Sequence, residues 1–135
     1  MMSRMVGESR LAVLLRSLDP ELHPDRLVFT TVERPPAGID WVAMVVEDEG
    51  ITLVVTQDRA DRDRLPYDYV AAMITLRVHS SLASVGLTAA VAAALAQAGI
   101  SCNVIAGRFH DHLFVPYDRR QDAIDCLRSS IQRGL

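Results

Sequence analysis

A serine-rich segment is the first part of this chain whose residue types could take part in chemistry. Residues 79–86 contain three hydroxyl groups and join a run of alternating apolar residues to an alanine-rich run. Where a strand leads into a helix in this way, the first backbone N–H groups of the helix have no partner within it. These groups and the positive end of the helix dipole bind a carboxylate or a phosphate. The alternative is that the serines only cap the helix, as serine commonly does.

Gly86 lies where the first turn of that helix is expected. A glycine within a helix costs roughly 1 kcal/mol relative to alanine, so another interaction should offset this cost. We therefore expect a close approach of the backbone at Gly86, either to a ligand or to a neighbouring strand.

The triplet His110-Asp111-His112 combines two imidazoles with a carboxylate. In a strand, His110 and His112 would point to one face and Asp111 to the other. Two histidines could bind a metal, but a zinc site needs a third ligand, and no cysteine or further histidine stands nearby in the sequence. The missing ligand favours the alternative, a solvated turn between two strands.

Other candidate groups give weaker signals. The acidic run Glu47-Asp48-Glu49 could accept an ammonium or guanidinium group, or could be a solvated turn, as charge runs usually are. No nucleophile motif such as G-x-S-x-G surrounds the serines or Cys102. The phosphate-binding patterns G-x-G-x-x-G and G-x-x-x-x-G-K are also absent. The sequence therefore predicts no catalytic activity.

Composition narrows the class of protein. The chain has 135 residues, half of them hydrophobic, which is enough for a folded core. Its net charge is −3 and its basic residues are scattered arginines, so it offers no basic surface to a nucleic acid. No segment resembles a signal peptide or approaches the roughly 18 apolar residues of a membrane span. We expect a cytoplasmic protein whose two cysteines, Cys102 and Cys126, are reduced.

The first half of the chain predicts one helix followed by strands. An amphipathic helix, a strand and two strands joined by a tight turn are expected at residues 8–18, 27–32, 41–47 and 51–56. The polar run 57–64 predicts either one helical turn or a loop.

The second half predicts the order strand, helix, strand, strand, helix. These elements are expected at residues 70–79, from the serine segment to about Ala98, and at 100–109, 112–115 and 119–133. Gly99 should follow the first helix in the left-handed conformation, and Asp118 should cap the second. Because parallel crossovers are right-handed, this order predicts an α+β ferredoxin-like fold, an antiparallel sheet with helices on one face.

We expect two modules that share one core, a degenerate half at residues 1–69 and a complete module at 70–135. The helix and strands of the first half could be a degenerate copy of the second, although no sequence repeat proves it.

The run MITLRVHSSLASVGLTAAVAAALAQAGISCNVIAGRFHDHLFVP, residues 73–116, resembles an ACT domain, a βαββαβ module that binds amino acids and regulates metabolic enzymes. The specific pieces are the E-x-EG-x-TLV hairpin and the HSSL-x-x-VGL, AGIS-x-N and HDHLFVP segments. The match covers roughly residues 26–132. The chain is more closely similar to small stand-alone bacterial ACT proteins of unassigned function, which resemble the CASTOR-type arginine sensors in layout.

The resemblance implies a ligand at a module or subunit interface, against the loop before the first helix and against the second strand. The implied contacts are Ser80, Ser81, Leu82, Val85, Gly86, Ser101, Cys102, Asn103 and Val104. Gly86 matches the glycine that commonly opens the ACT helix, and Val85 replaces the proline that often precedes it. The final ACT strand has no counterpart after the last helix, so either the N-terminal half supplies it or the sheet edge is used for pairing.

An amino acid would fit such a site. Its carboxylate would lie at the helix start, and its ammonium would need backbone carbonyls of the second strand, Asn103, or an acid from residues 47–49. The sequence thus predicts a non-catalytic regulatory module that binds a small molecule, by resemblance an amino acid. It also predicts a homodimer with no cofactor and no nucleic-acid or membrane partner.

Two alternatives remain open. One is a protein-interaction or structural module without a ligand. The other is a metal-dependent enzyme that uses His110 and His112.

Overall fold

The structure, a computed structural model, describes residues 17–78 and 86–133. Two compact units make up the chain: the first is Pro24–Ala72, and the second consists of the described parts of Met1–His23 and Met73–Leu135. In chain order the strands are β1 Pro20–Leu22, β2 Leu27–Val32, β3 Ala43–Glu47, β4 Gly50–Thr56, β5 Val70–Leu76, β6 Asn103–Ala106 and β7 Asp111–Pro116. The helices are α1 Gln57–Arg62, α2 Leu87–Gln97 and α3 Arg120–Arg133. No helix among the described residues is long and apolar enough to cross a membrane.

In the first unit, an antiparallel sheet has the order β3, β4, β2 and the start of β5. Asp48 and Glu49 alone join β3 to β4, which confirms the predicted tight hairpin. The fold's first helix is missing here, because the connection from β2 to β3 contains Pro35-Pro36, which disfavours helix. The buried Ile39 of this connection packs instead against Val28 and Leu53. This unit therefore forms the antiparallel sheet of the fold without its first helix.

In the second unit, the strand order is β1, β5, β7 and β6. A ferredoxin-like module has its last strand beside its first, and β1 takes that place by pairing with residues 74–76 of β5. The strand at this position therefore comes from the N-terminal part of the chain, which is one of the two alternatives that the sequence left open. Helix α3 packs against α2, β1 and β7, and buries Ala123, Ile124 and Leu127.

The elements predicted in the first half of the chain agree with the structure to different extents. The strand expected at 41–47 begins at Ala43. Just before it, Val42 N–H donates to the carbonyl of Val54, the residue opposite Ala43, so this hydrogen bond lies outside the regular register of the ladder. The run 57–64 contains one short helix, α1, as one of its two alternatives predicts. The helix predicted at 8–18 lies outside the described residues apart from Ser17 and Leu18, which are not helical.

Boundaries in the second half also differ. The first strand ends at Leu76, and β6 begins at Asn103 because Ile100 is buried at the end of α2, where its N–H donates to the Leu95 carbonyl at 2.9 Å. Gly99 has the expected left-handed φ of 72°. Asp118 lies in a 3-10 turn, Tyr117–Arg119, and is therefore not the N-cap of the helix that starts at Arg120.

Candidate functional site

The residues predicted to contact a ligand fall in three places. Ser80, Ser81, Leu82 and Val85 lie outside the described residues. Gly86 immediately precedes α2. Ser101 and Cys102 lie just before β6, and Asn103 and Val104 are its first two residues.

Gly86, rather than a serine, occupies the N-cap position of α2. Its φ is 103°, a conformation that residues with a Cβ rarely adopt, so this backbone geometry by itself favours glycine here. The helix begins when Ala90 N–H donates to the Gly86 carbonyl at 2.8 Å. The preceding N–H groups, of residues 87–89, have no partner within the helix, and Gly86 provides no side-chain cap.

Asp111 lies at this start of α2. The hydroxyl of Thr88, in the first turn of the helix, donates to Asp111 Oδ2 at 3.4 Å. A carboxylate near a helix start is stabilised by the helix dipole. Asp111 was not among the predicted contacts. The sequence predicted only that, in a strand, its side chain would point to the face opposite the two histidines. The site therefore presents backbone N–H donors beside a half-buried carboxylate.

The segment 101–104 lies at the other end of β6. In the β6–β7 ladder Asp111 is opposite Ala106, whereas Phe114 is opposite Asn103, three residues further along. That spacing is about 10 Å along the strands. Within one chain, the start of α2 and the segment 101–104 therefore do not meet on a ligand as small as an amino acid.

Cys102 is a neutral thiol in this position. Burial raises the pKa of its side chain, and its Sγ lies 3.9 Å from the Asn103 carbonyl oxygen. A thiol with a raised pKa is a poor nucleophile, because the reactive form is the thiolate.

The acidic run at the β3–β4 turn belongs to the first unit. The Glu47 carboxylate accepts a hydrogen bond from the Thr52 hydroxyl, while Asp48 and Glu49 form the exposed turn. This arrangement corresponds to the solvated turn that we considered as the alternative.

The two histidines of the triplet have different surroundings. His110 precedes β7, in a turn closed by Gly107 N–H, which donates to the His110 carbonyl at 2.9 Å. His110 therefore lies in the connection between the two strands, as the predicted strand bounds placed it, and the two histidines do not share one strand. His112 lies in β7, and its Nδ1 is 2.9 Å from Thr75 Oγ1 in β5. Within 17–78 and 86–133, no group of three or more histidine, cysteine or acidic side chains is placed to hold a metal.

Thr75 also contacts a histidine that the sequence did not single out. His23 Nε2 lies 2.8 Å from Thr75 Oγ1, and the two residues are 52 positions apart. The Thr75 side chain is almost fully buried between the two imidazoles. One hydroxyl thus connects His23 and His112.

Burial lowers the pKa of His112 below its ordinary value of 6.5, and positive charge on His110, His23 and Arg77 lowers it further. The negative charge of Asp111 acts in the opposite direction. His112 is therefore a neutral imidazole at physiological pH.

We expect His112 to make folding less favourable in acid. Above pH 6.5 neither state binds this proton, but below it the unfolded chain takes up a proton that folded His112 binds only at lower pH. The free energy of unfolding should therefore fall between pH 7.5 and about pH 5.5, and fall less in His112→Gln. At pH 7.5 that variant should lose about 1 kcal/mol with the Thr75 hydrogen bond.

Urea unfolding at the two pH values measures this difference. His110→Gln is the matched control and should keep most of the pH dependence, because burial is the largest cause of the lowered pKa. An equal loss of stability in acid for His112→Gln and the unmodified protein would show that His112 is not responsible.

Two family models, each describing an ACT domain, match residues 6–72 and residues 69–129. A crystal structure of a protein of unknown function from Vibrio cholerae, described as a possible transport protein, is 41% identical with a TM-score of 0.83, and the alignment covers 91% of this chain and 97% of that chain. No curated protein matches the chain.

More distant structures share the fold. A protein from Agrobacterium tumefaciens is 19% identical with a TM-score of 0.68, covering 82% of this chain and 87% of that one. The ligand-free regulatory subunit of aspartate kinase from Thermus thermophilus is 10% identical with a TM-score of 0.63, covering 84% and 97%. The two family models and the 41% identical relative show that this chain belongs to the ACT domain family.

Proposed function

We propose that this protein is a non-catalytic regulatory module that binds a free amino acid at the start of α2. The observation that carries the proposal is the position of the Asp111 carboxylate beside helix N–H groups that the helix itself leaves without partners. An amino acid has its carboxylate and its ammonium on one carbon. The N–H groups would bind the carboxylate, and Asp111 would accept hydrogen bonds from the ammonium.

The family supports this function. ACT domains are generally regulatory modules that bind small molecules such as amino acids. The regulatory subunit of aspartate kinase from Thermus thermophilus, whose fold this chain shares, is an example of the regulatory role. In this proposal the present chain regulates a partner enzyme or pathway in response to the ligand.

Residues 79–85 connect β5 to this site, so we include Ser80, Ser81, Leu82 and Val85 among the proposed contacts, together with Gly86. Ser101, Cys102, Asn103 and Val104 would contact the same ligand only from a second copy of the chain, because within one chain they lie at the far end of β6.

Asp111→Asn should weaken amino-acid binding by roughly 10-fold or more, because a hydrogen bond to a charged group contributes about 1.5 to 3 kcal/mol. Isothermal titration calorimetry with each of the common amino acids, on protein freed of any carried-over ligand, measures this change.

Asp118→Asn is the matched control, because Asp118 is an exposed carboxylate on a different turn of the same unit. It should leave the affinity unchanged. The proposal fails if no amino acid binds below millimolar concentration, or if both variants bind as well as the unmodified protein.

We also propose that the protein is a homodimer that pairs through β3. This strand is an edge of the sheet, and its neighbourhood exposes large apolar side chains to between 44% and 76% of their full area: Trp41, Val42, Met44, Val45 and Val46. An apolar edge strand with free backbone groups is an association site. A second β3, antiparallel about a twofold axis, would satisfy these groups and cover the side chains.

Val46→Lys should shift the protein from dimer to monomer at micromolar concentration, because a lysine on each copy would place like charges and a hydrated ammonium in the paired edge. Val46 is the most exposed of these residues, so the fold should tolerate the change. Sedimentation velocity measures the mass.

Phe109→Lys is the control, since Phe109 is also an exposed apolar residue but lies in the second unit, on the β6–β7 turn. It should leave the dimer intact. A monomeric unmodified protein, or a dimer that survives Val46→Lys, contradicts pairing through β3.

Some sequence predictions remain predictions. They are the cytoplasmic location, the absence of a cofactor and the assignment of the modules to residues 1–69 and 70–135.

A further inference from the structure

The Thr75 hydroxyl lies between two imidazoles and has a single proton to donate. Its Oγ1 is 2.8 Å from His23 Nε2 and 2.9 Å from His112 Nδ1. Thr75 is 1% exposed, and no other group in the described part of the chain bonds to its hydroxyl. Since a buried hydroxyl proton needs an acceptor, Thr75 must donate to one imidazole and accept from the other.

Two arrangements meet this condition when both histidines are neutral. In the first, His112 Nδ1–H donates to Thr75 and Thr75 donates to His23 Nε2, so both imidazoles carry their proton on Nδ1. In the second, both hydrogen bonds are reversed and both imidazoles carry their proton on Nε2. The tautomers of His23 and His112 are therefore coupled through one hydroxyl.

Glu21 selects the first arrangement. Its Oε1 lies 3.9 Å from His23 Nδ1, so its negative charge favours a proton on that nitrogen. Its Oε2 lies 3.5 Å from Arg77 Nε, which keeps the carboxylate on this face of the sheet.

We propose that His23, Thr75 and His112 form a proton-linked switch in which protonation at one end changes the hydrogen-bonding character of the other end. A proton from solvent binds His112 Nε2, the Nδ1 proton of His112 passes to Thr75 Oγ1, and the former hydroxyl proton of Thr75 passes to His23 Nε2. One proton is gained in total. The positive charge ends on His23, and His112 remains neutral with its proton on Nε2.

The surrounding charges place the positive charge on His23 rather than on His112. Glu21 of β1 lies beside His23. Around His112, Arg77 after β5 and His110 of the β6–β7 turn oppose a positive charge, and Asp111 alone favours one. Burial of His112 opposes a charge as well, and is the largest of these effects.

The switch acts on the β6–β7 turn. A Cβ at Gly107 would lie 3.5 Å from His112 Nε2, so this nitrogen borders the turn. Protonation changes it from an acceptor to a donor. The buried His110 Nδ1 of the same turn has no hydrogen-bond partner among the described residues, so the turn next to His112 Nε2 also contains a buried polar atom that lacks one.

This inference goes beyond the proposed function and does not depend on it, because the switch would operate with no amino acid bound. His112 and Asp111 alternate along β7, so the switch and the proposed ligand site lie on opposite faces of that strand.

Two-bond ¹H–¹⁵N correlation spectra of histidine-labelled protein distinguish the imidazole tautomers between pH 8 and about pH 5. Single His→Gln variants assign the signals of the four histidines. At pH 8 both His23 and His112 should carry the proton on Nδ1. As His23 becomes charged, His112 should change to the Nε2 tautomer with the same midpoint and without becoming an imidazolium.

Thr75→Val should abolish the tautomer change of His112, and Thr75→Ser, which keeps the hydroxyl, should retain it. Thr30→Val is the matched control, because Thr30 is also a buried strand threonine, 3% exposed, in the first unit. It should leave the coupling intact. If Thr75→Val does not fold, the unmodified protein and Thr75→Ser decide the question. An unchanged His112 tautomer during the His23 titration, or simultaneous charging of both histidines, overturns the proposal.

Discussion

The rest of the structure depends on the pairing along one edge of β5. The start of this edge pairs with β2, through Val28↔Val70 and Leu27↔Ala71, and completes the sheet of the first unit. Its end pairs with β1, through Leu22↔Ile74 and Pro20↔Leu76, and completes the sheet of the second. Free backbone groups on such an edge would otherwise need another partner. A single strand therefore serves as the last strand of one ACT module and the first strand of the next.

This pairing has a chemical consequence. Because β1 is antiparallel to β5, the chain leaves β1 at His23, whose N–H donates to the Met73 carbonyl at 3.0 Å. That bond holds the His23 imidazole next to Thr75. On the neighbouring strand, the alternation of Asp111 and His112 then separates the two proposed functions, with ligand binding on the face of β7 towards α2 and proton transfer on the face towards Thr75.

Local patterns predicted the parts of the fold that depend on local rules. Strand β2 matches its predicted residues, and the hairpin follows from turn formers between two apolar runs. Strand β1 was missed because Asp19-Pro20 reads as a helix stop, although proline is compatible with the end of an edge strand. Its partner lies more than 50 residues away, so no local period marks it.

The site was harder to predict for the same reason. The sequence identified Gly86 and the histidine triplet, but its reasons were incomplete: the positive φ of Gly86 and the turn at His110 depend on the path of the backbone. Contacts such as Thr88 to Asp111 and His23 to Thr75 join residues from different elements. Only the packed structure reveals that a carboxylate lies beside the start of α2.

Hydrogen–deuterium exchange of the protein with and without a saturating amino acid tests the central claim most directly, that the ligand binds the start of α2. The N–H groups of residues 87–89 have no partner within the helix and should exchange quickly in the free protein. The account predicts that the ligand slows exchange at these residues, because its carboxylate accepts their hydrogen bonds. Unchanged exchange there, with slowing confined to other segments, would contradict it.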